Sequence, residues 1–170
     1  MKNSIKVWLK DVMIVLVIFV LGILTGITLR TKDQIIKIQE SVAQETCLND
    51  STLSIECVKY HLNKHKVKFS HIVLAQAKLE SKGLKSNLAR VNNNIFGMKV
   101  AATRFTFAIN SYDYGNYAKY ETVEDCITDY KAWQIQNALH ITDPDSYFAL
   151  LKQQYAEDPM YVEKLKKLIR

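Results

Sequence analysis

Apolar positions divide the 170-residue chain into one unbroken run and a series of short periodic faces. From Val12 to Leu29 eighteen residues pass without a charge, enough to cross a bilayer as a helix. A secretory signal peptide is the competing reading, but its apolar region is shorter and a small-residue cleavage site follows closely. The only such site, Ser41-Val42-Ala43, lies far past the run. The pattern therefore predicts a short N-terminal segment over 1–11, an uncleaved transmembrane anchor over 12–29, a polar stalk or linker over 30–50, and a folded domain over 51–170.

Within that domain, Leu53, Ile55, Val58 and Leu62 mark one helical face that ends near Lys66. A second helix begins with Ser70 as its expected N-cap and stops at Gly83. A short helical turn follows around Ser86 to Val91. From Lys99 to Tyr120 the chain is rich in β-branched and aromatic residues and is broken at Asn110-Ser111 and Gly115-Asn116, which predicts a small β-hairpin lobe. Thr122 with Asp125 suggests a capping box. Asp143-Pro144-Asp145 and Asp158-Pro159 precede two further helices, the latter placing proline at the first helical position after an acidic cap. The fold class expected is α+β, mostly helical, with a β element inserted after the second helix.

A net charge of +6 suits an anionic surface such as a wall, a membrane or a nucleic acid, and selects none of them. The densest basic stretches, 64–68 and 164–170, fit solvated helix ends. Lysines and arginines flank the apolar run on both sides, so charge does not decide its orientation. Three cysteines are too few for a disulfide framework. Cys47 and Cys57 either close a small loop or remain thiols, and Cys126 reads as a buried thiol without a nucleophile signature. No phosphate-cradling glycine loop is present. His61 and His65 lie four apart but no acidic metalloprotease motif accompanies them, so no metal and no cofactor are expected.

The stretch HIVLAQAKLESKG, residues 71–83, sets one carboxylate, Glu80, on an otherwise apolar helix. Gln76, Ala77 and Val73 lie four, three and seven residues before it, so it shares their stripe, while Lys78 turns to the opposite side. Burial there would raise the carboxyl pKa and let it act as a general acid, as protonation of a glycosidic oxygen requires. An exposed glutamate at a helix end, beside Ser81 and Lys82, is the plain alternative.

The run LAQAKLES, followed by SNLARVNNNIFGMK, resembles the signature of the glucosaminidase family of peptidoglycan hydrolases, glycoside hydrolase family 73. Ala75, Gln76, Ala77, Leu79, Glu80 and Ser81 match its first part, Ser86, Leu88 and Ala89 its turn, and Asn93 to Lys99 its last part. YAKYETVEDCITDYKAWQ and YAEDPMYVEKLKKLI are similar to its later strand and closing helix, so the likeness spans about residues 55 to 169.

The resemblance implies a lysozyme-like fold with Glu80 as catalytic acid and the β lobe as one wall of a glycan cleft. It implies substrate-binding roles for Tyr117 and Tyr120. Gln76 and Asn94 are further binding candidates, while Asn93 reads as bracing a turn, Phe96 as core and Asp129 as a structural hydrogen-bonding partner. Many relatives carry a second acid in the β lobe. Here only Asp113 and the adjacent Glu121 are available, and neither matches, so the second group is unassigned. The expected function is a membrane-anchored endo-β-N-acetylglucosaminidase acting on peptidoglycan glycan strands, with its domain extracytoplasmic and no nucleic-acid partner. A muramidase or lytic transglycosylase on the same fold, or a non-catalytic glycan-binding module, is the alternative.

Overall fold

The computed structural model describes residues 2–49, 53–109, 115–155 and 158–169, and of residues 2–20, 40, 43, 46, 48 and 49 the backbone alone. Among the described residues seven helices follow in order: α1 (Lys2–Asn49), α2 (Ile55–Lys64), α3 (Ser70–Glu80), α4 (Asn87–Asn92), α5 (Val123–Asn137), α6 (Pro144–Gln154) and α7 (Tyr161–Ile169). The chain separates into two units, Met1–Glu45 and Thr46–Arg170.

The first unit is the greater part of α1, a continuous helix that also runs through the expected stalk. Among the described residues no helix is long and apolar enough to cross a membrane. The side chains of the first nine residues of the expected span, 12–20, lie outside the described ones.

The second unit begins at the end of α1, where Cys47 is bonded to Cys57 in α2 with Cα atoms 5.3 Å apart. The sequence left this pairing open, and Cys126 is the buried free thiol. Local chemistry accounts for most helix starts. Ser54 accepts from the Cys57 N–H, Ser86 from Ala89 and Asp143 from Ser146. Thr122 and Asp125 form a reciprocal capping box. Two starts differ from expectation. The residue before α3 is Phe69 in the left-handed region, with Ser70 already helical, because the chain turns sharply out of Lys66–Lys68. Helix α7 starts at Tyr161 rather than Pro159, since Asp158 holds Met160 and Tyr161 in a turn through its side chain and carbonyl.

Helix α3 is the centre of the domain. It packs against α2 on one side and along α7 on the other, and α2 also meets α5. Ile72, Val73, Ala75 and Ala77 of α3 join Val58, Leu62, Phe96, Ile127, Tyr130, Tyr147, Leu151 and Leu165 in one buried core. Removal of that apolar area from water is the main force holding the helices together.

The expected β-hairpin is a correction. Among the described residues there is no strand, only isolated antiparallel bridges pairing Lys99 with Tyr117 and Ile109 with Lys119. Residues 110–114, with Tyr112, Asp113 and Tyr114, lie outside the described residues. Side chains add to the few backbone bonds of the wall, such as the one from the Ala118 N–H to the Met98 carbonyl. Asn94 donates to the Met98 and Ala118 carbonyls at 2.8 Å each and accepts from the Met98 N–H at 3.0 Å. Asp129 binds Arg104 through both oxygens and accepts from the Phe107 N–H. With these backbone groups satisfied sideways, the segment forms an irregular wall instead of a regular ladder.

Candidate active site

Glu80 is the last residue of α3 and sits half-buried at the floor of a cleft of about 590 Å³. The end of the helix is fixed from below. Buried Ser81 donates to the Ala77 carbonyl at 2.5 Å and accepts from the Leu84 N–H at 2.7 Å, while the Gly83 N–H reaches back to Lys78. Leu79, Leu88, Phe96, Gly97, Lys99, Tyr117, Tyr155, Asp158, Tyr161 and Lys164 complete the cleft. A second cavity of about 390 Å³, lined in part by Arg104 and Trp133, shares Gly97, Lys99 and Tyr155 with the first. The two together make a groove with Gly97 at their junction.

One oxygen of Glu80 is occupied and the other is open. The Tyr161 hydroxyl donates to Oε1 at 2.8 Å. Oε2 faces Gly97, where an added Cβ would lie 3.7 Å from it. Burial raises the Glu80 carboxyl above its ordinary value, against the opposing pull of the Tyr161 hydrogen bond. Burial and the neighbouring Glu80 charge also raise the Tyr161 phenol far above its ordinary value, so it remains a donor. The result is a carboxyl group whose proton affinity is raised by burial, anchored through one oxygen by Tyr161 and without a hydrogen bond at the other among the described residues. That arrangement can deliver a proton to an oxygen atom of a ligand in the groove.

Behind Glu80 runs a chain of buried polar groups. Tyr130 donates to Gln76 Oε1 at 2.6 Å and meets the Tyr147 hydroxyl at 2.7 Å, and Gln134 Nε2 donates to Tyr147 at 2.7 Å. Tyr155 donates to the Phe96 carbonyl at 2.6 Å, tying the loop before Gly97 to α6.

Residues 56–170 match the family model for mannosyl-glycoprotein endo-beta-N-acetylglucosaminidase, the glucosaminidase domain. The chain belongs to the glucosaminidase family. As a member it is a glycoside hydrolase. A chain of a type VI secretion system effector–immunity complex from Pseudomonas protegens shares the fold, with a TM-score of 0.55 and 17% identity over 68% of this chain and 88% of that one. The catalytic domain of the autolysin Auto from Listeria monocytogenes is similar at a TM-score of 0.47 and 21% identity, over 77% of this chain and 82% of that one. Comparison with curated protein sequences finds no significant match.

In this glucosaminidase domain two of the five residues singled out from sequence, Glu80 and Tyr117, line the cleft. The other three lie behind its walls. Gln76 is fully buried, Asn94 is 1% exposed and spends its amide on the wall, and Tyr120, also 1% exposed, donates to Asp129 at 2.9 Å. Asn93 braces the same wall through the Tyr120 and Glu121 carbonyls, Phe96 is core, and Asp129 is the hydrogen-bonding hub expected of it. Glu121 is exposed and does not line the cleft, and Asp113 lies outside the described residues. Among the described residues the other carboxylate of the cleft is Asp158, ion-paired with Lys164, whose hydrogen bond holds it below its ordinary value. Sequence reading passed over Tyr161. Its signal was present in the stretch YAEDPMY, as an aromatic residue at the first turn of the closing helix.

Proposed function

We propose that this protein is a peptidoglycan hydrolase of glucosaminidase type, cleaving the glycosidic bond on the reducing side of N-acetylglucosamine with Glu80 as general acid. The observation that carries the reading is the state of Glu80: a carboxyl raised by burial, held by Tyr161 at one oxygen and open to the groove at the other. In the reaction Glu80 gives its proton to the leaving glycosidic oxygen as the bond to the anomeric carbon breaks, and positive charge develops on the sugar. Tyr117, 38% exposed on the wall, offers a ring face and a hydroxyl to a pyranose.

No carboxylate free of a lysine partner shares the cleft with Glu80 among the described residues. That favours assistance from the substrate's own N-acetyl group at the anomeric carbon. It also keeps in view a lytic transglycosylase, which closes the ring on itself in place of adding water. The eighteen-residue uncharged run within α1 supports a membrane anchor, which would place the domain on the wall side with 1–11 cytoplasmic.

The deciding experiment is digestion of purified peptidoglycan by the full-length protein, with mass spectrometry of the reduced products. Reducing N-acetylglucosamine ends are expected. Reducing or anhydro N-acetylmuramic ends would assign the muramidase or transglycosylase reading. Wall binding without any new ends would assign a glycan-binding module. Glu80→Gln should lower turnover by about a hundredfold to ten-thousandfold.

A further inference from the structure

We infer that His61, His65 and Glu124 form a binding site for a single transition-metal cation of the zinc class, clipping α2 to α5. The inference stands apart from the glycan reading, since none of the three lines the cleft.

His61 lies in the last turn of α2 and His65, four residues on, is the residue that caps its C-terminus. Glu124, in the first turn of α5, is brought to them by the packing of the two helices. One donor atom from each residue falls within 4.8 Å of the other two. Glu124 Oε1 lies 2.7 Å from His65 Nε2, and Oε2 lies 3.5 Å from His61 Nδ1. Ligands of a tetrahedral ion bound at about 2.0–2.2 Å stand roughly 3.3–3.6 Å apart, so small side-chain adjustments suffice.

The second observation is His61 itself. Its Nδ1 is buried and has no hydrogen-bond partner, although it faces a carboxylate. A buried polar atom left unpaired costs stability unless something outside the chain satisfies it. Two imidazoles and one carboxylate suit zinc, cobalt(II) or nickel(II) and not magnesium or calcium, which favour oxygen ligands. The side chains remain 15%, 24% and 33% exposed for His61, His65 and Glu124, so an ion can enter from solvent and keep water as its fourth ligand.

Lys64 is the opposing group, with Nζ 2.7 Å from Glu124 Oε1. Its side chain is 48% exposed and free to swing into solvent when a cation takes its place. The thiols do not compete, because Cys47 and Cys57 are bonded to each other and Cys126 is buried.

The test is titration of the full-length, disulfide-intact protein with zinc chloride by calorimetry, and with cobalt chloride by visible absorption. About one equivalent should bind, with a tetrahedral cobalt spectrum and a zinc-dependent rise in melting temperature. His61→Ala and Glu124→Gln should each weaken binding by about tenfold or more and abolish the thermal rise. Lys64→Gln should tighten binding, and His140→Ala should leave it unchanged. Unimpaired binding in both His61→Ala and Glu124→Gln would overturn the site, as would no saturable uptake by the wild type. A cooperative thermal melt of metal-free His61→Ala shows that the variant is folded, and His65→Gln serves in its place if it is not.

Discussion

Tyr161, the first residue of the last helix, holds Glu80, the last residue of the central one, through a 2.8 Å hydrogen bond across 81 positions of sequence. Burial and this bond act on the carboxyl in opposite directions, and burial prevails. The helix pair α3 and α7 therefore sets both the position of the candidate acid and its proton affinity.

Tyr161→Phe keeps the ring and removes the donor. A hydrogen bond to the carboxylate stabilises its charged form, so its loss raises the Glu80 pKa further. Activity that needs protonated Glu80 falls as pH rises through that pKa. The falling limb of the kcat/KM–pH profile should therefore move to higher pH in Tyr161→Phe, while kcat at its maximum drops by about tenfold or less. A merely structural tyrosine would lower activity without moving the limb.

Glu80→Gln should melt at a higher temperature than the wild type near neutral pH, while losing activity. A carboxyl whose folded pKa is raised favours the fold when protonated, below its unfolded value, and loses that contribution as pH rises through the folded one. The substituted amide carries no charge to desolvate and can still accept from Tyr161. The stability gap between variant and wild type should shrink as pH falls below the ordinary carboxylate range, as measured by thermal melts across pH.

The helices and the burial of Glu80 were legible because each depends on local chemistry: starts at Thr122 and Asp143, and an apolar stripe leading to Glu80. The wall was less so. The β-branched and aromatic residues between Lys99 and Tyr120 suggest a hairpin, but Asn94 and Asp129 claim its backbone groups from outside the segment. The motif that Tyr120 matches implies a ligand contact, whereas its hydroxyl turns inward to Asp129. Glu124 stayed unconnected to His61 and His65 because 59 residues separate it from His65, and no spacing rule spans such a loop.

Asn94 and Tyr117 should separate stability from binding. Asn94→Ala leaves the Ala118 carbonyl and the Met98 N–H without a partner and takes one of two donors from the Met98 carbonyl, and should destabilise the domain by about 2–3 kcal/mol in denaturant melts. Tyr117→Ala removes a ring that is 38% exposed and should change stability by about 0.5 kcal/mol or less while raising KM for glycan. Equal loss of stability in both would remove the case for Tyr117 as a sugar platform.

Gly97 should be the position where the smallest added group does most harm to catalysis. Its φ of 65° lies in the left-handed region, so an alanine there costs about 1–2 kcal/mol of stability. The added methyl would stand 3.7 Å from Glu80 Oε2, an ordinary contact that needs no movement of the floor. It would, however, occupy the space over the one carboxyl oxygen that Tyr161 leaves open. A glycosidic oxygen could then no longer approach to hydrogen-bonding distance along that side. Gly97→Ala should fold, with a melting temperature only a few degrees lower. Its kcat should nevertheless fall by well over tenfold, close to the loss in Glu80→Gln. Gly83→Ala, with the same φ sign but open space around its Cβ, supplies the control, since it carries similar strain without a methyl near the acid. If the two alanine variants lose activity equally in peptidoglycan digests, backbone strain and not access to Oε2 accounts for the loss.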